Sequence, residues 1–366
     1  MKILFVHPRL NVLGGAESVL IHMLKALREH ELSLLADCWN LKDVKKMFDV
    51  ELPDVKWVRC PSFHPTHQHF VAFQWLYYTK KLNQLIRELC GDYDLLIETQ
   101  QVYSDPSGGT PLINYIHYPT LAAPSSEEEQ HLTSSIYYAM SRFFIRQRVK
   151  KISLALASSQ FVAKKIVEYL NIKPLVVHPP VNIKRFYSEQ TWSDREDKVV
   201  SIGMFIPWKR LHLLLEVARR LPNIQFVIIG KINEEHKDYY ENLCIQKTNN
   251  VTIKHNISSD EVKHELATAR VYAHLNAEPF GISVVEAAAA GCVPIVYHIG
   301  GPAECLGDAA LTWKDLKQLS THISELIKDK DLWSKVSEKA KKKAFEFDAA
   351  IFEKRIRNIL KERLWK

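Results

Sequence analysis

The sequence predicts an α/β fold of two domains, each a parallel sheet covered by helices on both faces. Its length of 366 residues suits two domains at roughly 100 to 200 residues each. Short apolar runs alternate with amphipathic patterns of helical period along most of the chain, and such alternation closes into parallel sheets. Strand patterns give way to helical ones through glycine, at Gly14-Gly15 in the first half and at Gly281 in the second. Sheets of this kind collect ligands at the carboxyl ends of their strands, so the loops there are where chemistry is sought first.

Composition narrows the class. At 46% hydrophobic and 25% charged residues the chain reads as soluble and globular, and no apolar run approaches the ~20 residues that cross a bilayer. Met1 to Val6 is short and soon followed by His7-Pro8-Arg9, so it is expected to be a strand of a cytoplasmic protein and not a signal peptide. Six cysteines, Cys38, Cys60, Cys90, Cys244, Cys292 and Cys305, form no C-x-x-C pair, which argues against a zinc site or a disulfide framework. The net charge of +7 fits phosphate-bearing ligands or an anionic membrane surface; no nucleic-acid motif accompanies it, and nucleic acid is not expected as a partner.

Taken in order, Lys2–Val6 is the first strand, and Val19, Leu20, Met23, Leu24 and Leu27 give the next segment a helical stripe. Strands follow at Leu32–Ala36, Asp94–Ile97, Leu112–Ile116 and Ser153–Ala157, with helices at Gln68–Cys90, Glu127–Lys150 and Gln160–Leu170. His117 stands at a strand end within Tyr115-Ile116-His117-Tyr118-Pro119-Thr120. Two helices are rich in aromatic residues: Phe70, Phe73, Trp75, Tyr77 and Tyr78 in one, and Tyr137, Tyr138, Phe143, Phe144 and Ile145 before Arg146, Arg148, Lys150 and Lys151 in the other. Aromatic beside basic suits a helix lying on anionic lipid, and it equally suits a core face backed by a solvated one. Lys184–Asp197 is polar and reads as a linker, after which strands are expected at Val199–Gly203, Phe226–Ile229, Val251–Ile253, Val271–Leu275 and Val293–Tyr297. Helices are expected at Leu211–Leu221, from Gly281 to Gly291, and across Lys335–Lys343; Ile351, Ile356, Ile359 and Leu360 stripe the last one.

Chemistry concentrates in the second half. In Ala277-Glu278-Pro279-Phe280-Gly281-Ile282 a loop enters an alanine-rich helix, whose first N–H groups lack internal partners and, with the macrodipole, attract anions. Glu278 and Glu286 add carboxylates that accept hydrogen bonds from hydroxyls, so the stretch suits a ligand carrying both an anion and hydroxyls, such as a sugar nucleotide. Taken singly, either carboxylate suits a solvated loop or a surface ion pair; the spacing and the glycine are what make the pattern specific. Lys209 and Arg210 stand at the start of a helix, where a bound diphosphate would relieve two cations opposed to the dipole.

These residues resemble a known family. Glu278 to Gly291 is similar to the E-x7-E region of retaining GT-B glycosyltransferases of family four, E-P-F-G-[IL]-x-x-x-E-A-x-A-x-G, departing only where Ala288 stands for the usual Met or Leu. Gly14-Gly15-Ala16-Glu17 matches the family's G-G-A-E, and Gly300-Gly301-Pro302-Ala303-Glu304 its G-G-x-x-E. The pattern G-R-x-x-x-x-K-G is met at Lys209, with Met204 in place of the Arg and Arg210 in place of the final Gly. The resemblance implies two Rossmann-like domains facing a central cleft, residues 1–183 with a crossing helix at 348–366, and residues 184–347. It implies transfer of a hexose from a nucleotide-diphosphate sugar to a hydroxyl of a glycan or polyprenyl-linked acceptor. His117, Lys209 and Glu278 would be catalytic; Gly14, Gly15, Lys209, Arg210, Glu278, Phe280, Gly281, Ile282 and Glu286 would bind the donor, without a metal or another cofactor. Tyr115–Thr120 is similar to the matching phrase of mannosyltransferases that extend dolichol-linked oligosaccharide, which favours GDP-mannose and a place at the cytosolic face of a membrane. Two further classes stay open, a sugar-nucleotide epimerase of GT-B fold, against which the E-x7-E stretch argues, and a binding-only relative, suggested by Met204.

Overall fold

The computed structural model describes residues 1–10, 14–40, 44, 48–63, 71–100, 104–120 and 132–364, with the backbone alone at 71–73, 132–138 and 363–364. It divides into two compact units, residues 1–180 with 352–366, and residues 181–351.

The first unit is built on β1 (Lys2–Val6), β2 (Glu31–Ala36), β3 (Val55–Arg59), β4 (Leu95–Glu98), β5 (Leu112–Ile116), β6 (Leu154–Ala157) and β7 (Leu175–Val176). They form a parallel sheet in the order β3-β2-β1-β4-β5-β6-β7. β4 and β5 are buried along their whole length, as central strands covered on both faces must be, and their residues are accordingly apolar with few exceptions. Helices Gly15–Ala26, Val71–Leu89, Leu132–Val149 and Gln160–Leu170 pack on the sheet. Ser159 caps the last of these by accepting from Val162 N–H at 3.1 Å, and Asn171 ends it in the left-handed conformation.

The second unit holds β8 (Glu196–Ile202), β9 (Gln225–Gly230), β10 (Val251–His255), β11 (Ala269–Ala273), β12 (Val293–Tyr297) and β13 (Leu311–Trp313), parallel in the order β10-β9-β8-β11-β12-β13. In both sheets the chain direction of growth reverses once, at β1/β4 and at β8/β11, and ligands of doubly wound sheets bind at such switch points. The final helix, Ala349–Leu364, begins in this unit and returns to the first, where Phe352, Ile356, Ile359 and Leu360 join the core that also holds Leu20 and Met23.

Several expectations change. Lys184–Asp197 is not a plain linker: it carries most of a short helix, Ile183–Phe186, then a 3-10 turn at Trp192–Asp194, and β8 has begun by Glu196. Arg195 within it is buried and donates to the carbonyls of Leu266, Ala269 and Ala290, satisfying helix ends that have no partners of their own. β3 is a strand the sequence hides, because its Lys56 and Arg59 break the apolar run at a sheet edge. Ile351 is exposed, so the stripe of the last helix starts at Phe352. Of the first aromatic helix, Trp75 and Tyr78 pack with Phe63 at ring distances of 5.1 and 5.4 Å, which is a core face; Tyr77 is exposed. Phe70 and the side chains of Phe73, Tyr137 and Tyr138 lie outside the described residues. No described helix is long and apolar enough to cross a membrane.

Candidate active site

In the second unit, β8 ends at Ile202 and the loop that follows turns through a 3-10 segment, Pro207–Lys209. A Cβ on Gly230 would stand 2.1 Å from the Gly203 carbonyl oxygen, so glycine there lets the ends of β8 and β9 approach. The stem of Lys209 lies over Gly203, and its Nζ pairs with Glu278 Oε1 from the loop after β11. Desolvation works to raise the Glu278 carboxyl, but nearby His274 and Lys209 outweigh it and hold it below the ordinary value. Lys209 and Glu278 are thus brought together by the adjacency of β8 and β11.

Glu278 owes its place to the glycines that follow. Gly301 N–H donates to the Glu278 carbonyl at 2.7 Å, and a Cβ on Gly301 would lie 2.0 Å from the Pro279 carbonyl oxygen. Gly281 (φ +85°) is the residue before helix Ile282–Ala289, with Pro302 packed where its Cβ would be. Phe280 turns its ring into the core against Phe347 at 5.3 Å, leaving its backbone, with that of Gly281 and Ile282, to line the helix start. Glu286 is the fifth residue of that helix and half-buried; desolvation pushes its carboxyl up to about 7, opposed by Arg185. Between them Tyr272 hydroxyl meets Ser283 Oγ at 2.9 Å.

Arg210 follows Lys209 at the end of the 3-10 segment. Its guanidinium sits 5.1 Å from the Tyr297 ring centroid and 6.0 Å from that of Trp313, a cation–π seat at the ends of β12 and β13. Its backbone is left-handed, φ +56°, which explains why the family pattern has glycine at this place. Met204 Sδ accepts from Asn233 Nδ2 at 3.6 Å.

In the first unit the strand order gathers side chains from three strand ends. His7 follows β1, Thr99 follows β4 and His117 follows β5. His7 Nδ1 lies 2.9 Å from Thr99 Oγ1, and its Nε2 lies 3.2 Å from Glu17 Oε1; Glu17 Oε2 accepts from Gly14 N–H at 2.8 Å. The turn at Gly14, with helix Gly15–Ala26 starting at Gly15, is therefore tied to the strand ends through Glu17. His117 Nε2 is 3.1 Å from the Thr99 carbonyl, to which it donates, and desolvation and neighbouring His7 hold it down at about 4. A neutral imidazole with that tautomer keeps Nδ1 as an acceptor.

Sequence reasoning missed His7, Glu17 and Thr99 as a group, and Arg185. The signal for the first three was the strand-end position that drew attention to His117; for Arg185 it was Asn182, an N-cap that accepts from Arg185 N–H at 3.3 Å. Among the described residues no group of three or more His, Cys, Asp or Glu is placed to hold a metal ion.

Two doubly wound units, each a parallel sheet with one switch point, make this a GT-B fold. Residues 183–343 match the model of the family glycosyl transferases group 1. A Dictyostelium discoideum protein named GDP-Man:Man(3)GlcNAc(2)-PP-Dol alpha-1,2-mannosyltransferase is 23% identical, aligned over 95% of this chain and 82% of its own length. A Homo sapiens protein of the same name is 22% identical over 93% and 83%. The Anabaena protein HepE, solved with UDP and glucose, shares the fold at a TM-score of 0.73 and 20% identity, covering 99% of this chain and 100% of that one. The chain is a glycosyltransferase, and its second unit is a glycosyl transferases group 1 domain.

Proposed function

We propose that the chain is a retaining glycosyltransferase that moves mannose from GDP-mannose to a hydroxyl of a glycan carried on a polyprenyl lipid. The observation that carries this reading is the convergence of Lys209 and Glu278 at the β8/β11 switch point, with Glu286 on the helix that opens at Gly281. As the bond from the anomeric carbon to the diphosphate breaks, negative charge grows on the leaving oxygen, and Lys209 is the cation poised to meet it. Arg210, seated over Tyr297, adds a second cation for the diphosphate. Glu278 accepts from sugar hydroxyls and Glu286 from the ribose, while the amides at Phe280, Gly281 and Ile282 and the turn at Gly14-Gly15 take the remaining polar groups of the donor. His117 accepts a sugar hydroxyl through Nδ1. In this reading the leaving phosphate takes the acceptor proton on the same face, which retains configuration, and transfer persists in EDTA because Lys209 supplies the countercharge.

The relatives' names and the Tyr115–Thr120 phrase support mannose and a lipid-linked acceptor. Exposed Met140, Phe143 and Phe144, beside exposed Arg146 on helix Leu132–Val149 and exposed Lys150 just after it, support peripheral attachment to the cytosolic face of an anionic membrane. Thermal unfolding with GDP, UDP and ADP sugars tests the donor: at 100 times Kd a ligand stabilises by ~2.7 kcal/mol. A shift selective for GDP-mannose, followed by transfer to a lipid-linked acceptor with the α configuration kept, is expected. No shift with any of them, or conversion of the nucleotide sugar without acceptor, overturns the reading. Sedimentation with phosphatidylserine vesicles at low salt tests the membrane contact, and absence of binding removes it.

A further inference from the structure

His274 is the first residue beyond β11, and its backbone is locked from both sides: its N–H donates to the Ile295 carbonyl at 2.8 Å and its carbonyl accepts from Trp313 Nε1 at 2.9 Å. The side chain is 4% exposed. Its Nε2 has no hydrogen-bond partner among the described residues, although Glu278 Oε2 is only 3.8 Å away. Buried ring nitrogens are almost always hydrogen-bonded, so one held just out of reach of a carboxylate calls for an account. The other oxygen of that carboxylate, Oε1, is taken by Lys209. The charged groups facing the imidazole are Glu278, from the loop after β11, and Lys209, from the loop after β8. Burial, opposed by the Glu278 charge and aided by Lys209, holds the ring below its ordinary value, so near pH 7 it is neutral, and with its proton on Nε2 it is a donor and not a second cation.

Lys209 has two claimants, Glu278 and the leaving diphosphate. We infer that His274 is a positioning residue that holds Glu278 when Lys209 turns from it to the donor, an inference that rests on the donor-binding reading above. Without such a partner Glu278 would lose its countercharge in a half-buried loop at the moment it must stay ionised and oriented toward the sugar. A carboxylate rotation that moves Oε2 by roughly 0.6 to 1.1 Å brings it within hydrogen-bond distance of Nε2. No proton is transferred in this step; one hydrogen bond replaces an ion pair.

The first test needs no donor. In Lys209→Ala the exchange is already forced, so the 15N resonance of His274 Nε2, followed by NMR in the full chain, moves to a hydrogen-bonded position relative to wild type. Wild type saturated with sugar nucleotide shows the same move. The second test is kinetic. His274→Leu lowers kcat by roughly 10- to 100-fold, the loss of one hydrogen bond to a charged group, while the donor KM changes less than twofold; His274→Gln, whose amide nitrogen replaces Nε2, restores most of it. An unmoved resonance in Lys209→Ala, or equal losses in the Leu and Gln variants that follow their fall in Tm, overturns the inference. If wild type binds no sugar nucleotide but the resonance moves in Lys209→Ala, the pairing stands and the donor reading fails.

Discussion

At the scale of single residues, Lys209 and Glu286 occupy different points on the reaction coordinate. Charge on the leaving phosphate develops only in the transition state, whereas ribose contacts are made before and during it. Lys209→Ala is expected to lower kcat by about 10²- to 10³-fold, as loss of a transition-state donor does, and Glu286→Ala to raise the donor KM with kcat nearly kept. Equal kcat losses in steady-state assays would show the two roles wrongly divided. Glu286 also sets a pH dependence. Its carboxyl is raised from 4.5 to about 7 in the fold, so between those values the native state holds a proton that the unfolded chain has released. The stability this contributes is complete below the unfolded value and is lost as pH rises through about 7. Glu286→Gln should therefore melt above wild type at pH 8 and with it near pH 5, and the donor KM of wild type should fall over the same rise in pH as the carboxylate becomes an acceptor. A Gln variant less stable than wild type at pH 8 would contradict the assignment.

At the scale of elements, the Glu278–Gly281 loop is held backbone to backbone by the next turn. Gly300 (φ +118°) and Gly301 leave no space for side chains, since a Cβ on Gly301 would overlap the Pro279 carbonyl. Gly301→Ala is expected to cost about 1–3 kcal/mol in urea unfolding and to lower kcat by displacing Glu278; unchanged stability would mean that the loop can yield. Here the sequence was legible, because a glycine pair and a spaced pair of carboxylates each have a local physical reason. The central strands were legible for the same kind of reason, being apolar without interruption, as at Leu112–Ile116. What stayed hidden depends on partners distant in sequence. Arg195 is a polar residue in a polar stretch until the helix ends at Leu266, Ala269 and Ala290 converge on it. His7, Thr99 and His117 become neighbours only through the order β1-β4-β5. Helix Ile183–Phe186 is a single turn, too short for a period, so Arg185 went unremarked. Arg210 could be placed in its loop but not over Tyr297, because cation–π seats leave no spacing in the sequence.

At the scale of the whole molecule, the two units are not two consecutive stretches of chain. Val181 pairs with Asp348, so the segments that enter and leave the second unit run side by side, and the first unit is completed only by residues 352–366. Phe352, Ile356, Ile359 and Leu360 are all buried in its core, and Glu353 reaches His22 Nδ1 at 2.8 Å and Lys25 Nζ at 3.0 Å. Removing one such apolar side chain typically costs about 2–5 kcal/mol, and four together match or exceed the roughly 5–15 kcal/mol that a domain has to lose. Deletion of residues 352–366 should therefore unfold the first unit while leaving the second, whose core draws on none of these residues. Hydrogen exchange on the truncated chain would read this directly: protection lost across β1 and β2 and retained across β8, β9 and β11. Since Lys209, Glu278 and Glu286 all lie in the unit that survives, the truncated chain should still bind nucleotide weakly but transfer no sugar, having lost the ordered turn at Gly14 and the His117 strand end. Protection kept in β1, or transfer at the wild-type rate, would show that the returning helix is dispensable to the core it completes.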